Sequence, residues 1–358
     1  MNRRGAGKVL VTGASGLIGS HVVRALAERG YEPRAFCRRP PPPSAPAEHV
    51  AGDVRDEAAV AAAARGCCAI IHTAGVYSYA RQGAARVMST NVQGTACVLA
   101  AAARAGVDRV VVTSSSATCG PVRGRPADER DTPPGWELAV PYKRSKLAAE
   151  RVALARAASG QDLVIVNPTT TLGANDDRPT PSGAIVRDVM TRRIRGYIAT
   201  SGLNIASARD VAQGHVLALE RGRRGERYLL GGENLPMERV FRLIAQLAGV
   251  PAPRVAVPYR LALAAAVVAD AAARVKLTGE PSLLVLDEVR LARLPLYFSI
   301  AKARRELGYS HQPATQALAA TVGWFASRQA TSPATARRWT DSSVRAGGDF
   351  SDGAGGSS

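Results

Sequence analysis

From the amino terminus, short unbroken apolar runs alternate with longer stretches in which apolar residues recur every three or four positions. Residues 9–11 are such a run, the pattern of a strand buried on both faces of a parallel sheet, and 31–37, 50–53, 69–72, 109–113 and 162–166 are read as the further strands. Residues 17–28, 57–65, 86–105 and 141–158 carry the helical period between them. Strand–helix alternation of this kind predicts an α/β fold built on a doubly wound parallel sheet. Beyond residue 172 the pattern loosens. Helices are expected near 185–192, 211–219, 237–248, 301–308 and 313–325, with strand ends at 207–210 and 228–232. The apolar stretch 261–273 is interrupted by Asp270 and too short to span a bilayer, so it is expected to pack as a helix of the second lobe, with an amphipathic surface helix as the alternative.

The junction between the first strand and first helix carries the earliest chemistry. Residues 8–19 read K-V-L-V-T-G-A-S-G-L-I-G. Gly13 permits a tight turn, Gly16 lets backbone approach a pyrophosphate, and Gly19 lets helix and strand pack closely. A helix N-terminus there offers free N–H groups and partial positive charge to phosphates. Gly13, Ser15, Gly16, Leu17, Ile18 and Gly19 are therefore the candidate pyrophosphate site of a Rossmann-type sheet. The end of the second strand bears on which dinucleotide binds. An acidic residue there would bind the adenosine ribose, but Cys37 stands in its place and Arg38 follows, which suits a ribose phosphate and favours NADP over NAD. Asp53 and Val54 would lie at the adenine edge. Thr73, Ala74 and Gly75, small residues after the fourth strand, let the backbone pass the cofactor, and Asn167, Pro168 and Thr169 would border the nicotinamide. His72 reads as a packing residue at a strand end.

This division predicts a Rossmann domain at 1–171, with 205–222 returning to it, and a smaller C-terminal α/β lobe at 172–329 that is mainly substrate-binding. Residues 330–358, rich in Ser, Thr, Gly and Arg and without periodicity, are expected to be disordered.

Composition narrows the class. The 358-residue chain has a net charge of +18. Its arginines are scattered and aromatic content is only 5%, so nothing resembles a basic, aromatic-interleaved nucleic-acid surface. The five cysteines, Cys37, Cys67, Cys68, Cys97 and Cys119, have no C-x-x-C spacing. They read as reduced residues of a cytoplasmic protein, with no metal site and no disulfide framework. The basic start, residues 1–8, leads straight into a strand and does not read as a signal peptide.

A reaction centre is expected where the fifth strand ends. Ser114, Ser115 and Ser116 follow it, and ligands bind at the carboxyl ends of such strands. Of these, Ser115 is the first candidate and Ser116 the second, with Thr118 as a helper. Tyr142 and Lys146 are four residues apart, which stacks them on one helical face. A phenol is a poor base at neutral pH. Lowering its pKa by about three units takes roughly 4 kcal/mol, which a lysine ammonium and the positive ring of an oxidised nicotinamide could supply. Tyr142 is then the acid/base, Lys146 its partner and cofactor anchor, and Ser115 the donor to the substrate oxygen.

The G-x-x-G-x-x-G loop after Thr12, the serine cluster and Y-x-x-x-K together resemble the extended short-chain dehydrogenase/reductases and their NAD-dependent epimerase/dehydratase family. The stretches P-Y-K-R-S-K (141–146), V-N-P-T-T-T-L-G (166–173), R-P-T-P-S-G (178–183), G-H-V-L-A-L-E-R-G (214–222) and G-E-R-Y-L-L-G-G-E-N-L (225–235) look like hopanoid-associated sugar epimerases, relatives of dihydroflavonol 4-reductases. So does T-S-G-L-N (200–204), with Ser201 inserted. The resemblance covers residues 8–327. It implies hydride transfer at a secondary alcohol or carbonyl of a sugar-like or polyol substrate, and a place beside hopanoid biosynthesis. It also implies a homodimer formed through helices such as 86–105 and 142–158, and a role for Asn91 of N-V-Q-G-T in shaping the cofactor and proton-relay region. Sugar epimerases keep NAD tightly bound and carry an acid after the second strand; Arg38 instead resembles the NADPH-using reductases. Epimerase and one-way reductase both stay open. The intact Ser–Tyr–Lys set argues against a non-catalytic NADP sensor.

Overall fold

Residues that are apolar at consecutive positions can be buried only where both faces of a sheet are covered, and the central strands meet that condition while the edge strand at 48–51 stays largely exposed. In the computed structural model, which describes residues 7–40, 45–78, 83–274 and 286–330, the runs form β1 (Lys8–Thr12), β2 (Glu32–Cys37), β3 (Glu48–Ala51), β4 (Cys67–His72), β5 (Arg109–Thr113) and β6 (Leu163–Pro168). They pair in parallel in the order β3-β2-β1-β4-β5-β6, and β10 (Arg227–Leu230) adds a parallel edge beside β6. The strand order reverses between β1 and β4, so a crevice opens beyond their carboxyl ends.

Helices α1 (Leu17–Glu28) and α7 (Ala208–Arg221) cover one face of this sheet through Val22, Leu26, Val211 and Val216. Helices α2 (Glu57–Ala64), α4 (Gly94–Arg104) and α5 (Pro141–Ala158) cover the other through Val60, Leu99 and Ala153. A short α3 (Ala84–Met88) runs into α4 through a π-helical turn, Ser89–Gln93. A second sheet is built on β7 (Thr170–Leu172), β9 (Gly202–Ser207) and β11 (Glu233–Pro236), with β9 central. Around Leu172 and Ile205 pack α6 (Pro181–Met190), α8 (Met237–Ala248) and α12 (Ala314–Ala330). Strands β8 (Gly196–Ile198) and β12 (Val255–Val257) pair in parallel, α9 (Tyr259–Arg274) meets α10 (Leu286–Leu291), and α11 (Ala301–Leu307) returns to the large sheet.

Three readings shift. The third strand ends at Ala51, and Gly52 then passes so close to the Phe36 ring that an added Cβ would lie 2.3 Å from it. The helix at 86–105 contains the π turn. The apolar stretch at 261–273 is a helix that buries Ala262 and Ala266 but leaves Leu261 64% and Val268 69% exposed. Strands β7, β8, β11 and β12 are three or four residues long, too short for any period to register. Apart from Ala330, the segment expected to be disordered lies outside the described residues. All five cysteines are free, with Cys37, Cys67 and Cys119 buried. Among the described residues no helix is long and apolar enough to cross a membrane, and no cluster of His, Cys, Asp and Glu could hold a metal.

Candidate active site

The glycine loop closes β1 onto α1 in three distinct ways. Gly13 has φ +71°, and a Cβ there would meet Ala74 backbone at 2.7 Å. A Cβ on Gly19 would lie 2.3 Å from the Gly13 carbonyl oxygen and 2.7 Å from Thr73 Oγ1. Gly16 is exposed, and a Cβ there would lie 3.3 Å from the Gly13 carbonyl oxygen, a tight contact that a small shift relieves, so packing constrains this glycine far less than the other two. It is also the N-cap of α1 and no side chain caps the helix there. An uncapped helix start beside exposed Ser15 and Gly16, with buried Leu17 and half-buried Ile18 anchoring the first turn, fits a pyrophosphate. Arg38 is exposed at the end of β2. Asp53 is gripped by Arg55, which holds its carboxyl down to about 2, and Arg38 adds to that effect. Val54 is buried against Gly94 of the N-V-Q-G-T stretch.

Residues 73–75 connect this loop to the serine–tyrosine–lysine region. Thr73 Oγ1 donates to the Thr12 carbonyl at 2.7 Å, and Ala74 lies against Gly13. A Cβ added to Gly75 would sit 3.4 Å from Lys146 Nζ and 3.3 Å from Asn91 Oδ1. Lys146 donates to the Thr113 carbonyl at 2.9 Å. Burial pulls its ammonium down to about 8, and Glu150 opposes that pull. Tyr142, one turn back on α5, is 7% exposed. Burial is the largest influence on its phenol and pushes it above the ordinary value; Tyr77 adds to this and a hydrogen bond with Ser115 opposes it. The lowering anticipated from Lys146 and an oxidised nicotinamide together is not reached by the protein groups alone: Lys146 directs a donor to the Thr113 carbonyl, and burial outweighs the Ser115 hydrogen bond. Ser115, and not Ser116, is the serine that meets the phenol. Its Oγ also accepts from Ala117 N at 3.2 Å. The neighbouring Ser114 hydroxyl is buried with no partner among the described residues.

Asn91 sits 1% exposed in the π turn. Its Oδ1 accepts from Val76 N at 2.7 Å, and its Nδ2 donates to Val76 O at 3.0 Å and Ser145 Oγ at 2.8 Å. It thus ties the end of β4 to α5. A π turn aims a side chain that a regular helix would rotate away. The side chains of Asn167 and Thr169 are turned into the protein: Asn167 is fully buried and bonds Ser115 O and Glu150, while Thr169 donates to Asn204 Oδ1 at 2.8 Å. Pro168 is buried at the end of β6. His72 is a packing histidine between Thr12 and Thr95, held down to about 3 by burial.

Several residues here carry no motif. The Tyr77 ring lies 4.6 Å from that of Tyr142, centroid to centroid, and Leu291 of α10 packs on the same cluster. Lys143 and Glu137 form a buried ion pair at the start of α5. Beside it opens a cleft of about 360 Å³ lined by Trp136, Pro134, Leu291, Leu294, Arg123 and Arg293.

A model of the NAD dependent epimerase/dehydratase family matches residues 9–231. The chain belongs to that family. It is 39% identical over 325 residues to a protein named "Putative dihydroflavonol 4-reductase" from Synechocystis sp. (strain ATCC 27184 / PCC 6803 / Kazusa), covering 88% of this chain and 93% of the relative. It is 33% identical to "Sterol demethylase protein B" from Methylococcus capsulatus (strain ATCC 33009 / NCIMB 11132 / Bath), covering 89% and 98%. Among solved structures, the crystal structure of gox2253 superposes with a TM-score of 0.79 at 36% identity, covering 90% of this chain and 99% of that one. The chain is thus an enzyme of the extended short-chain dehydrogenase/reductase type.

Proposed function

We propose that this enzyme is an NADP(H)-linked oxidoreductase that interconverts a ketone and a secondary alcohol on a ring-bearing, largely apolar substrate, working chiefly as a reductase. The observation that carries the reading is the hydrogen bond between Ser115 and the buried phenol of Tyr142, one turn from Lys146. When bound, the nicotinamide supplies the hydride. Tyr142 holds the proton that a nascent alkoxide oxygen requires, and a phenol raised by burial suits donation over abstraction. Ser115 orients the same oxygen. Lys146, between Gly75 and the Thr113 carbonyl, holds positive charge where the nicotinamide ribose would lie. The exposed guanidinium of Arg38 and the absence of an acid at Cys37 support NADP.

The cleft beside Tyr142 favours an apolar ring over a bare polyol, since Trp136, Leu291 and Leu294 offer flat or aliphatic surface, while charge comes from Arg123, Arg293 and Glu137, the last paired with Lys143. The names of the two relatives, a dihydroflavonol reductase and a sterol demethylase protein, point to substrates of that kind. Sugar epimerisation, with the hydride returned to the opposite face, is the second reading and rests on the family's name and the hopanoid-associated resemblance. The test is NADPH consumption with a panel of cyclic ketones, alongside release of any co-purified cofactor for mass analysis. Stoichiometric NADPH oxidation is expected. Arg38→Ala should raise the KM for NADPH roughly ten- to hundredfold, the loss of one charged hydrogen bond, and leave NADH unaffected. Tightly held NAD with no net turnover of NADPH would overturn the reductase reading in favour of epimerisation.

A further inference from the structure

Tyr142, Lys146 and Glu150 fall at successive four-residue steps along α5, on one stripe of the helix. Glu150 is 2% exposed. A carboxylate buried to that degree is retained only where donors surround it, and its donors all belong to one neighbourhood. Its Oε2 accepts from Asn167 Nδ2 at 2.8 Å and from Thr118 Oγ1 at 2.9 Å, and its Oε1 lies 3.1 Å from Arg227 Nε. Asn167 Nδ2 also reaches Ser115 O at 3.1 Å and Thr118 Oγ1 at 3.0 Å, and Thr118 N donates to Ser115 O at 3.1 Å. Arg227 Nη2 donates to the Thr118 carbonyl at 3.3 Å. Glu150, Asn167 and Arg227 each also reach the turn at 115–119, through Thr118 or the Ser115 carbonyl.

Donor arithmetic fixes the direction of the relay. The Thr118 hydroxyl has one proton and two acceptors in reach, Glu150 Oε2 at 2.9 Å and the Ser115 carbonyl at 2.8 Å. The carboxylate is the stronger acceptor, so the hydroxyl donates to Glu150 and shares, as a third acceptor, the two protons of the Asn167 amide. Asn167 Oδ1 is buried with no partner among the described residues. The amide therefore leaves its oxygen unsatisfied in order to aim its NH2 group at Glu150 and the Ser115 carbonyl. A neutral group at position 150 would weaken the acceptor that holds that orientation.

We propose that Glu150 is a positioning residue of the reaction centre: through Asn167 and Thr118 its carboxylate holds the Ser115 turn in register with Tyr142. The proposal rests on the Ser115–Tyr142 reading above. Glu150 also faces Lys146 along α5, Arg227 from β10 and Cys119 from the turn, while Lys146 faces His72 from β4. Removing the anion leaves Lys146 with its burial unopposed.

Glu150→Gln keeps the shape and removes the charge. With NADPH and the best ketone of the panel, it should lower kcat roughly ten- to hundredfold, as misplacement of a catalytic group does, with KM for NADPH unchanged. The alkaline limb of the kcat profile should move to lower pH. A wild-type kcat and limb would overturn the proposal, as would a kcat loss that merely tracks a falling melting temperature. If Glu150→Gln does not fold, Thr118→Val, which removes one arm of the relay at equal volume, should lower kcat without moving the limb; an unchanged kcat there is equally fatal. Tyr142→Phe separates the two levels. An inactive Tyr142→Phe beside a fully active Glu150→Gln rejects only the role of Glu150, whereas an active Tyr142→Phe rejects the reaction centre itself.

Discussion

Tyr142 reports what burial does to a side chain that the sequence presents as a base. Its phenol is raised, it touches Ser115, and its ring lies against Tyr77 and Leu291. Tyr142→Phe keeps that packing and removes only the hydroxyl, so the variant should fold with a melting temperature close to the parent. Its kcat should fall roughly 10²- to 10⁴-fold, the range for a lost proton donor, with NADPH binding intact by fluorescence titration. The Tyr142–Lys146 pair was legible because four-residue spacing stacks side chains on a helix. The same rule reaches Glu150, yet a glutamate on a helix reads as solvated until Asn167 and Arg227 arrive from β6 and β10. Tyr77 was invisible for a similar reason: it is distant in sequence and has no spacing relation to Tyr142, so only the fold brings the rings together. The choice between Ser115 and Ser116 needed the turn itself, because adjacent hydroxyls differ only in where the backbone aims them.

At the scale of elements, the strand–turn–helix unit around Gly13 was legible almost to the residue, since turn chemistry and apolar periodicity agree there. The structure adds a division of labour among the glycines. Gly16→Ala puts its Cβ 3.3 Å from the Gly13 carbonyl oxygen, which must give by a few tenths of an ångström, and has φ −86°, which alanine accepts. It should cost clearly less stability than Gly19→Ala and weaken NADPH binding at least about tenfold, because the added methyl occupies the phosphate's approach. Gly19→Ala drives a Cβ to 2.3 Å from the Gly13 carbonyl and should destabilise by about 1–3 kcal/mol, as overpacking does. Equal stability loss in both variants by chemical denaturation would show that neither glycine is reserved for ligand. The start of α5 behaves differently. Lys143 and Glu137 are 3% and 1% exposed, and burial pushes Glu137 up and Lys143 down. Glu137→Ala strands a buried ammonium, so unfolding should cost about 3–5 kcal/mol less. No pattern announced this pair, because a charged residue's burial is decided by elements that the local sequence does not contain.

Across the whole molecule, the two faces of the large sheet share a sensitivity to acid. His72 at the end of β4 and His215 of α7 are fully buried, held down to about 3 and about 4 from an ordinary 6.5. Their neighbours dictate neutral rings. Thr95 donates to the Asn91 carbonyl, so it accepts from His72 Nε2, and Thr12 must donate to Nδ1. His215 Nδ1 faces the Val211 carbonyl, leaving Nε2 to accept from Thr113. A folded pKa below the unfolded one means that stability is complete above 6.5 and declines as pH falls, because only the unfolded chain takes the proton. By about pH 4 each histidine should have removed about 3 kcal/mol, so the pair together removes a large share of a typical domain's stability. A chain at +18 also gains repulsion as its carboxylates protonate. Salt separates the two effects, since screening relieves surface repulsion and leaves a desolvated imidazole untouched. The melting temperature should therefore fall steeply between pH 6.5 and 4 even at high ionic strength. His215→Gln should start slightly lower at neutral pH and lose less on acidification. If salt abolishes the acid slope, or His215→Gln retains it in full, repulsion and not buried histidine sets the acid limit of the fold.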